Sequence, residues 1–389
     1  MTELQQLINE LCPNGVKFVA LEECCKILDN KRKPVTKAAR QAGEYPYYGA
    51  NGIQDYVSDY IFDGIFVLVG EDGSVVTPSG NPVVNWATGK IWVNNHAHII
   101  EEKDGVLLRY LYHYLQTVNV SALIHGNIPK LTGGDFRAIK VPVPPLPVQS
   151  EIVRILDNFT ELTAELTAEL TARKQQYAHY RDTLLKLDNN VPSYTLKDVC
   201  LSIADGDHMP PPKADSGVPF ITISNITETR QIDFSNVMYV PREYYDKLAD
   251  KRKAKRDDIL YTVVGSFGIP VHISNKTEFV FQRHIAILRP NQQMIVPRYM
   301  YHIMQSTEFY KQADKAAKGA AQRTIGLSSL GNMTIPLPSI EEQKRIVAIL
   351  DRFDTLCNDI SAGLPAEIEA RQKQYEYYRD KVLTFEPAK

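Results

Sequence analysis

The chain has none of the features that would commit it to several common destinations. Its 389 residues contain no apolar run near the ~20 residues that a bilayer-spanning helix requires. The opening MTELQQLINELCPNG has neither a basic n-region nor an apolar h-region, so secretion is not expected. Cysteine is sparse: Cys12, Cys24, Cys25, Cys200 and Cys357 form an odd, scattered set without a C-x-x-C pair. That excludes a disulfide framework and a structural zinc site, and a reduced cytoplasmic setting is expected. Net charge is only −2, which argues against indiscriminate binding to polyanions. Catalytic signatures are missing too. No GxxxxGK[ST] phosphate loop, no HExxH metal motif and no Asn-Pro-Pro-aromatic motif of amino-methyltransferases occurs. The acidic stretches Gly70-Glu71-Asp72-Gly73 and Asp205-Gly206-Asp207-His208 lack the ligand spacing of an EF-hand and read as polar turns, so no metal is expected. His96, His98, His113, His284 and His302 read as strand or helix residues with satisfied hydrogen bonds rather than as general bases.

What the chain does have is a duplication. PVPPLPVQSEIVRILDNF begins at Pro142, and PLPSIEEQKRIVAILDRF begins at Pro336. They align without a gap, Gln149 on Gln343 and Asp157 on Asp351. Each leads to a second matching block, RKQQYAHYRD from Arg173 and RQKQYEYYRD from Arg371. The correspondence continues in the segments between. Arg109-Tyr110-Leu111-Tyr112-His113 matches Arg298-Tyr299-Met300-Tyr301-His302, and Asn95-His96 falls opposite Arg283-His284. A repeat this long indicates two similar domains, each followed by a helix.

Each domain has a mixed pattern. Stretches 65–69 and 259–264 predict buried strands, and 92–100 and 279–288 predict further strands. The Arg-Tyr-x-Tyr-His stretches predict helices. Between these elements lie loops rich in turn formers, where recognition residues usually sit. After Val148 no proline interrupts the chain until Pro192, and Ile152, Leu156, Phe159, Leu162, Leu166, Leu170, Tyr177, Tyr180, Leu184 and Leu187 form a coiled-coil-like seam. The second copy carries the seam through Ile346, Leu350, Phe353, Leu356, Ile360, Leu364 and Ile368, with Gly363 and Pro365 predicting a break or kink. The expected architecture is α+β: recognition domains at 1–145 and 190–335, and helical segments at 146–189 and 336–389. The two long helices pair antiparallel as a coiled-coil spacer with pseudo-twofold character.

Charge is unevenly spread. Residues 190–335 carry 18 lysines and arginines against 14 acids, whereas 16–145 are neutral at 13 each. Polar and aromatic side chains of the kinds that read bases or hold phosphates sit in the loops of both domains. In the first domain the candidates are Lys31, Arg32, Lys33, Tyr48, Asn51, Asn95 and His96. In the second they are His208, Lys213, Asn225, Arg283, His284, Lys318, Gln322 and Arg323.

The EEQKRIVAILDRF and QSEIVRILDNF blocks resemble the conserved regions of specificity subunits of type I restriction-modification systems. The TELTAELTAELTAR array and the RQKQYEYYRD ending resemble the IC subfamily. The resemblance implies a subunit without its own active site or cofactor. Each variable domain would read one half of a gapped double-stranded DNA target, and the helices would set the gap. It also implies two methyltransferase subunits that bring S-adenosylmethionine, and restriction subunits that bring ATP and Mg. Gln149, Ile152, Tyr177, Gln343, Ile346 and Tyr375, in the conserved blocks, are the expected partner-binding residues. Two other readings stay open on the residues alone: a duplicated helical scaffold that binds only protein, and an enzyme with an unrecognised site.

Overall fold

The computed structural model describes residues 3–73, 75–187, 190–206, 210–320, 322–359 and 361–389. Packing divides the chain into two units. One comprises Met1–Ala164 with Ala370–Lys389, and the other Glu165–Glu369. The first unit therefore takes the start of one long helix and the end of the other, and the second takes the remainder of both. Among the described residues no helix is long and apolar enough to cross a membrane.

In the first unit a six-stranded sheet runs in the order Lys26–Ile27, Ala97–Glu101, Phe62–Gly70, Val84–Val93, Ala42–Gly49, Gly52–Val57. All neighbours are antiparallel except Ala42–Gly49 and Val84–Val93, which run parallel with Tyr47 opposite Trp92. The expected strand over 92–100 is in fact two strands separated by a turn at 94–96, because polar Asn94, Asn95 and His96 interrupt the apolar run. The expected strand over 279–288 is likewise broken at Arg283 and His284. The second unit has a four-stranded sheet, Cys200–Asp205, Ile285–Pro290, Ile259–Thr262, Pro270–His272, and a three-stranded one, Met238–Val240, Val218–Ile221, Val280–Phe281. One parallel pair, Val218–Ile221 with Val280–Phe281, occupies the place of the parallel pair in the first unit.

The duplication is visible in register. Phe18–Ala20 pairs antiparallel with Lys140–Pro142, Phe18 facing Pro142. Ser193–Thr195 pairs the same way with Thr334–Pro336, Ser193 facing Pro336. Each pair delivers the chain into a long helix, Leu146–Leu185 (40 residues) or Ile340–Asn358 (19 residues). The second helix starts at the N-cap Ser339, whose hydroxyl accepts from the Glu342 amide. It ends at Asn358, and a new helix runs Leu364–Val382, so the Gly363-x-Pro365 sequence makes a break. At Gly363 a Cβ would meet the Thr355 carbonyl oxygen at 2.5 Å, a close approach that only glycine permits. The described seam residues pack against aromatic side chains within each unit, and Ile360 lies outside the described residues. In the first, Phe159 stacks on Tyr378, with Ile152 and Leu156 fully buried. In the second, Tyr177 and Tyr180 stack on Phe353, above buried Ile346 and Leu350. Each fully buried aliphatic side chain of this kind contributes about 1.5–3 kcal/mol.

Candidate nucleic-acid interface

A set of backbone hydrogen bonds recurs in both units and gathers the loops of each sheet end. In the first unit the Glu71 amide donates to the His96 carbonyl at 2.8 Å, the Gly73 amide to Pro129 at 3.0 Å, and the Leu131 amide to Glu71 at 2.8 Å. In the second unit the Val263 amide donates to the His284 carbonyl at 2.8 Å, the Gly265 amide to Arg323 at 3.0 Å, and the Ile325 amide to Val263 at 2.8 Å. A fourth bond ties the turn to the parallel pair, Asn94 to Tyr48 and Gln282 to Ile221. Gly73 and Gly265 both need glycine here, at φ +87° and +71°. Each unit thus clamps three chain segments together: the loop after a central strand, the turn at 94–96 or 282–284, and a hairpin tip, at 126–129 or at Gln322 and Arg323. These backbone bonds fix the loops to one another, so their exposed side chains stand on a braced base.

The structure sorts the sequence candidates accordingly. Lys31 and Lys33 are exposed beside the 94–96 turn, where the Lys33 amide donates to Val93 and the Lys33 carbonyl accepts from Trp92 Nε1. Asn95 and His96 are exposed on the turn itself. Asn51 is exposed at the tip of the hairpin joining Ala42–Gly49 to Gly52–Val57. Asn94 Nδ2 donates to Gln54 Oε1 at 3.4 Å and links that hairpin to the turn. In the second unit Arg283, Lys318 and Gln322 are exposed on the clamped segments, and His284 is half-buried. Burial, and Arg283 beside it, push the His284 ring below its ordinary pKa, so it is neutral at neutral pH. Arg323 is held by Asp314 at 2.7 Å and lies 5.1 Å over the Phe267 ring, which stacks on exposed Tyr310.

Other candidates are structural. Arg32 donates to Glu71 at 2.6 Å, to the Ala97 carbonyl at 2.7 Å and to the Asp29 carbonyl at 2.9 Å. Its side chain is 12% exposed and pins the 70–73 loop instead of facing outward. Tyr48 is buried in the sheet core. Asn225 accepts from the Thr222 amide and donates to the Asp233 and Asn236 carbonyls, so its amide is spent on its own loop. Lys213 is exposed near the sheet edge at Tyr239, on none of the clamped segments. His208 lies outside the described residues. Sequence reasoning missed Ile128, 70% exposed on the hairpin tip, because an apolar side chain does not register among polar readers. The surrounding Gly126-Asn127-Ile128-Pro129 turn signal could have found it.

Asp29, Glu71 and His98 cluster within 4.8 Å of one another and offer metal-type donors. Their donor atoms are already committed. His98 Nδ1 contacts Asp29 at 2.7 Å and Nε2 contacts the Leu131 carbonyl at 3.0 Å, while Arg32 and Lys130 neutralise Glu71. The residues fit an ion-pair network that braces the loops, not a metal centre. A carboxylate whose charge is already balanced by two cations has little left for a divalent ion.

The six residues expected to meet a partner require correction. Gln149, Ile152, Gln343 and Ile346 are 0% exposed, Tyr177 4% and Tyr375 5%. They hold each recognition domain to the helices. Gln149 accepts from the Leu107 amide and donates to the Gly105 and Pro144 carbonyls. Gln343 repeats this with the Val296 amide and the Met294 and Pro338 carbonyls. His113 Nε2 sits 2.7 Å from Asp157, and its Nδ1 accepts from the Tyr375 hydroxyl at 3.0 Å. His302 repeats this with Asp351 at 2.7 Å and Tyr177 at 2.8 Å. Arg109 and Arg298 complete the pairs on Asp157 and Asp351. The repeated motif in the sequence is thus an internal joint.

Comparison with known proteins agrees with this geometry. A family model described as the type I restriction modification DNA specificity domain matches residues 13–173 and 189–370. A Haemophilus influenzae protein named as a type I restriction enzyme specificity subunit is 38% identical over 386 residues, covering 95% of this chain and 96% of the relative. The EcoR124I/EcoR124II specificity subunit of Escherichia coli is 36% identical over 73% of this chain and 72% of its own length. In fold, the S subunit of a type I restriction-modification system from M. genitalium superposes with a TM-score of 0.59 at 15% identity, covering 95% of this chain and 96% of that one. With two family domains, the same clamp in each and curated relatives along its length, the chain belongs to the type I restriction-modification specificity subunits, the DNA sequence-recognition components of those systems.

Proposed function

We propose that each unit reads one half of a bipartite double-stranded DNA target with its three clamped segments, and that the helices set the unread gap between the halves. The observation that carries this reading is the repeated clamp, which presents Asn95 and His96 in one unit and Arg283 and His284 in the other from equivalent backbone positions. Arginine and asparagine suit guanine and adenine edges, and the lysines at 31, 33 and 318 suit phosphates. If half-site centres lie one helical turn apart, the gap is roughly 6–7 base pairs for half-sites of three to five. The chain holds no cofactor of its own and works in the cytoplasm. Two methyltransferase subunits dock on its helical parts and bring S-adenosylmethionine, and restriction subunits add ATP and Mg. The TAEL array supports placement in the IC subfamily.

The test is to reconstitute the chain with its methyltransferase subunit, methylate genomic DNA that carries no adenine methylation, and map the modified adenines. The expected product is one motif of two short defined halves around a fixed undefined gap, and a continuous motif would overturn the reading. Gel shifts at several salt concentrations should show weak binding by the chain alone, given its −2 net charge, and tight binding by the complex.

A further inference from the structure

Ile128 has an assignable role, and it rests on the DNA-reading function proposed above. The side chain is 70% exposed, more than any other large apolar residue among those described. A lone exposed aliphatic residue signifies little by itself, so position decides. The hairpin that carries it is closed by the pairs Ile124 with Leu131 and His125 with Lys130. It is anchored from outside by the Gly73 bond to Pro129 and the Leu131 bond to Glu71. Gly126, at φ +84°, makes its turn. Since Pro129 takes the clamp position of Arg323 and Leu131 that of Ile325, Ile128 stands where the second unit has Gln322. That hairpin too is closed across its base, with Lys318 and Thr324 exchanging both backbone hydrogen bonds at 2.9 and 2.8 Å. Gln322 is exposed at its tip.

The same station thus holds an amide in one unit and a branched aliphatic group in the other. On a groove floor the two have different natural partners. A glutamine pairs with the N6 and N7 of adenine, and an apolar side chain covers the 5-methyl of thymine, the one apolar group the major groove offers. We infer that Ile128 is a specificity-determining residue of the first unit and reads a thymine through its methyl group, at the station where Gln322 reads in the second unit. Its rigid mounting keeps the ordering cost low, so most of the methyl's burial is available as discrimination.

The experiment uses the complex with the methyltransferase subunit and a duplex carrying the mapped motif, with deoxyuridine replacing each thymine in turn. Removing one contacted methyl should weaken wild-type binding by about four-fold at a single position of one half-site. Ile128→Ser, an exposed change that leaves the fold intact, should bind thymine and uracil equally there and keep the other half-site unchanged. Ile128→Gln should move the preference at that position from thymine to adenine. If wild type and Ile128→Ser give the same uracil profile, the assignment is wrong while the DNA-reading function stands. If the wild-type complex shows no sequence preference at all, both fall.

Discussion

His113 and His302 are each fully buried between an aspartate that accepts and a tyrosine that donates, which fixes the ring tautomer with the proton on Nε2. Burial depresses the pKa of both rings, against the opposing pull of Asp157 and Asp351. His272, lowered by burial and by Arg298, behaves the same way. As pH falls below the unfolded value of about 6.5, the unfolded chain takes up protons that the folded chain refuses. The stability contributed by the neutral rings is therefore complete above that pH and is lost as pH drops toward the depressed folded values. Asp157 and Asp351 are raised by burial but lowered further by their histidine and arginine partners, so their contribution is lost only in the acid carboxylate range. Chemical denaturation of wild type between pH 7 and 5 should show falling midpoints. The His113→Asn/His302→Asn double variant, which keeps a neutral donor, should start less stable and show a shallower slope. An unchanged slope would mean that other groups govern it. Tyr375→Phe leaves His113 Nδ1 without its donor and should cost roughly 1–2 kcal/mol, as should Tyr177→Phe at His302. Calorimetry would read both.

At the scale of elements, the long helices are the part most legible in the sequence. Their seam repeats over many turns, and Gly363 with Pro365 marks the break seen between Asn358 and Leu364. The strands are less legible: the turn at 94–96 falls inside a stretch expected as one strand, and although its three polar residues permit a bend, it is the clamp bonds from elsewhere in the chain that hold it there. Buried polar residues mislead in the other direction. Gln149 and Tyr375 look like surface groups on amphipathic helices, but Leu107 and Gly105, which bind Gln149, and His113, which binds Tyr375, lie more than forty residues away in sequence, where no local pattern reaches them. The Leu146–Leu185 helix carries the TELTAELTAELTAR array without interruption. Inserting one further Thr-Ala-Glu-Leu unit adds about 6 Å of helix and slightly more than one full turn, so flanking faces keep nearly the same orientation. Methylation mapping of that insertion should return a longer gap with both half-sites intact. Altered half-sites would show that the array takes part in reading and not in spacing.

At the scale of the whole molecule, what matters is that one clamp occurs twice with different side chains mounted on it. Where the clamp places its exposed side chains was partly legible, because Asn95-His96 and Arg283-His284 align. Which of the candidates are exposed was not, because Arg32 is occupied by Glu71 and Ala97 from distant parts of the chain and Asn225 by its own loop, and residue type alone reveals neither. A duplicated scaffold with separate readers predicts independence. Asn95→Ala should relax one base pair in one half-site, and Arg283→Ala one base pair in the other, each weakening binding of the cognate site by about 1–3 kcal/mol. Neither change touches a clamp bond, since those run through backbone groups. Because the two positions share no partner, the double variant should lose the sum of the single losses to within about 0.5 kcal/mol. Competition binding of the four proteins against a panel of single-base variants of both half-sites measures this directly. A loss much smaller than the sum, or a single change that relaxes both halves, would mean that the units do not read separately, and the bipartite reading would have to be abandoned.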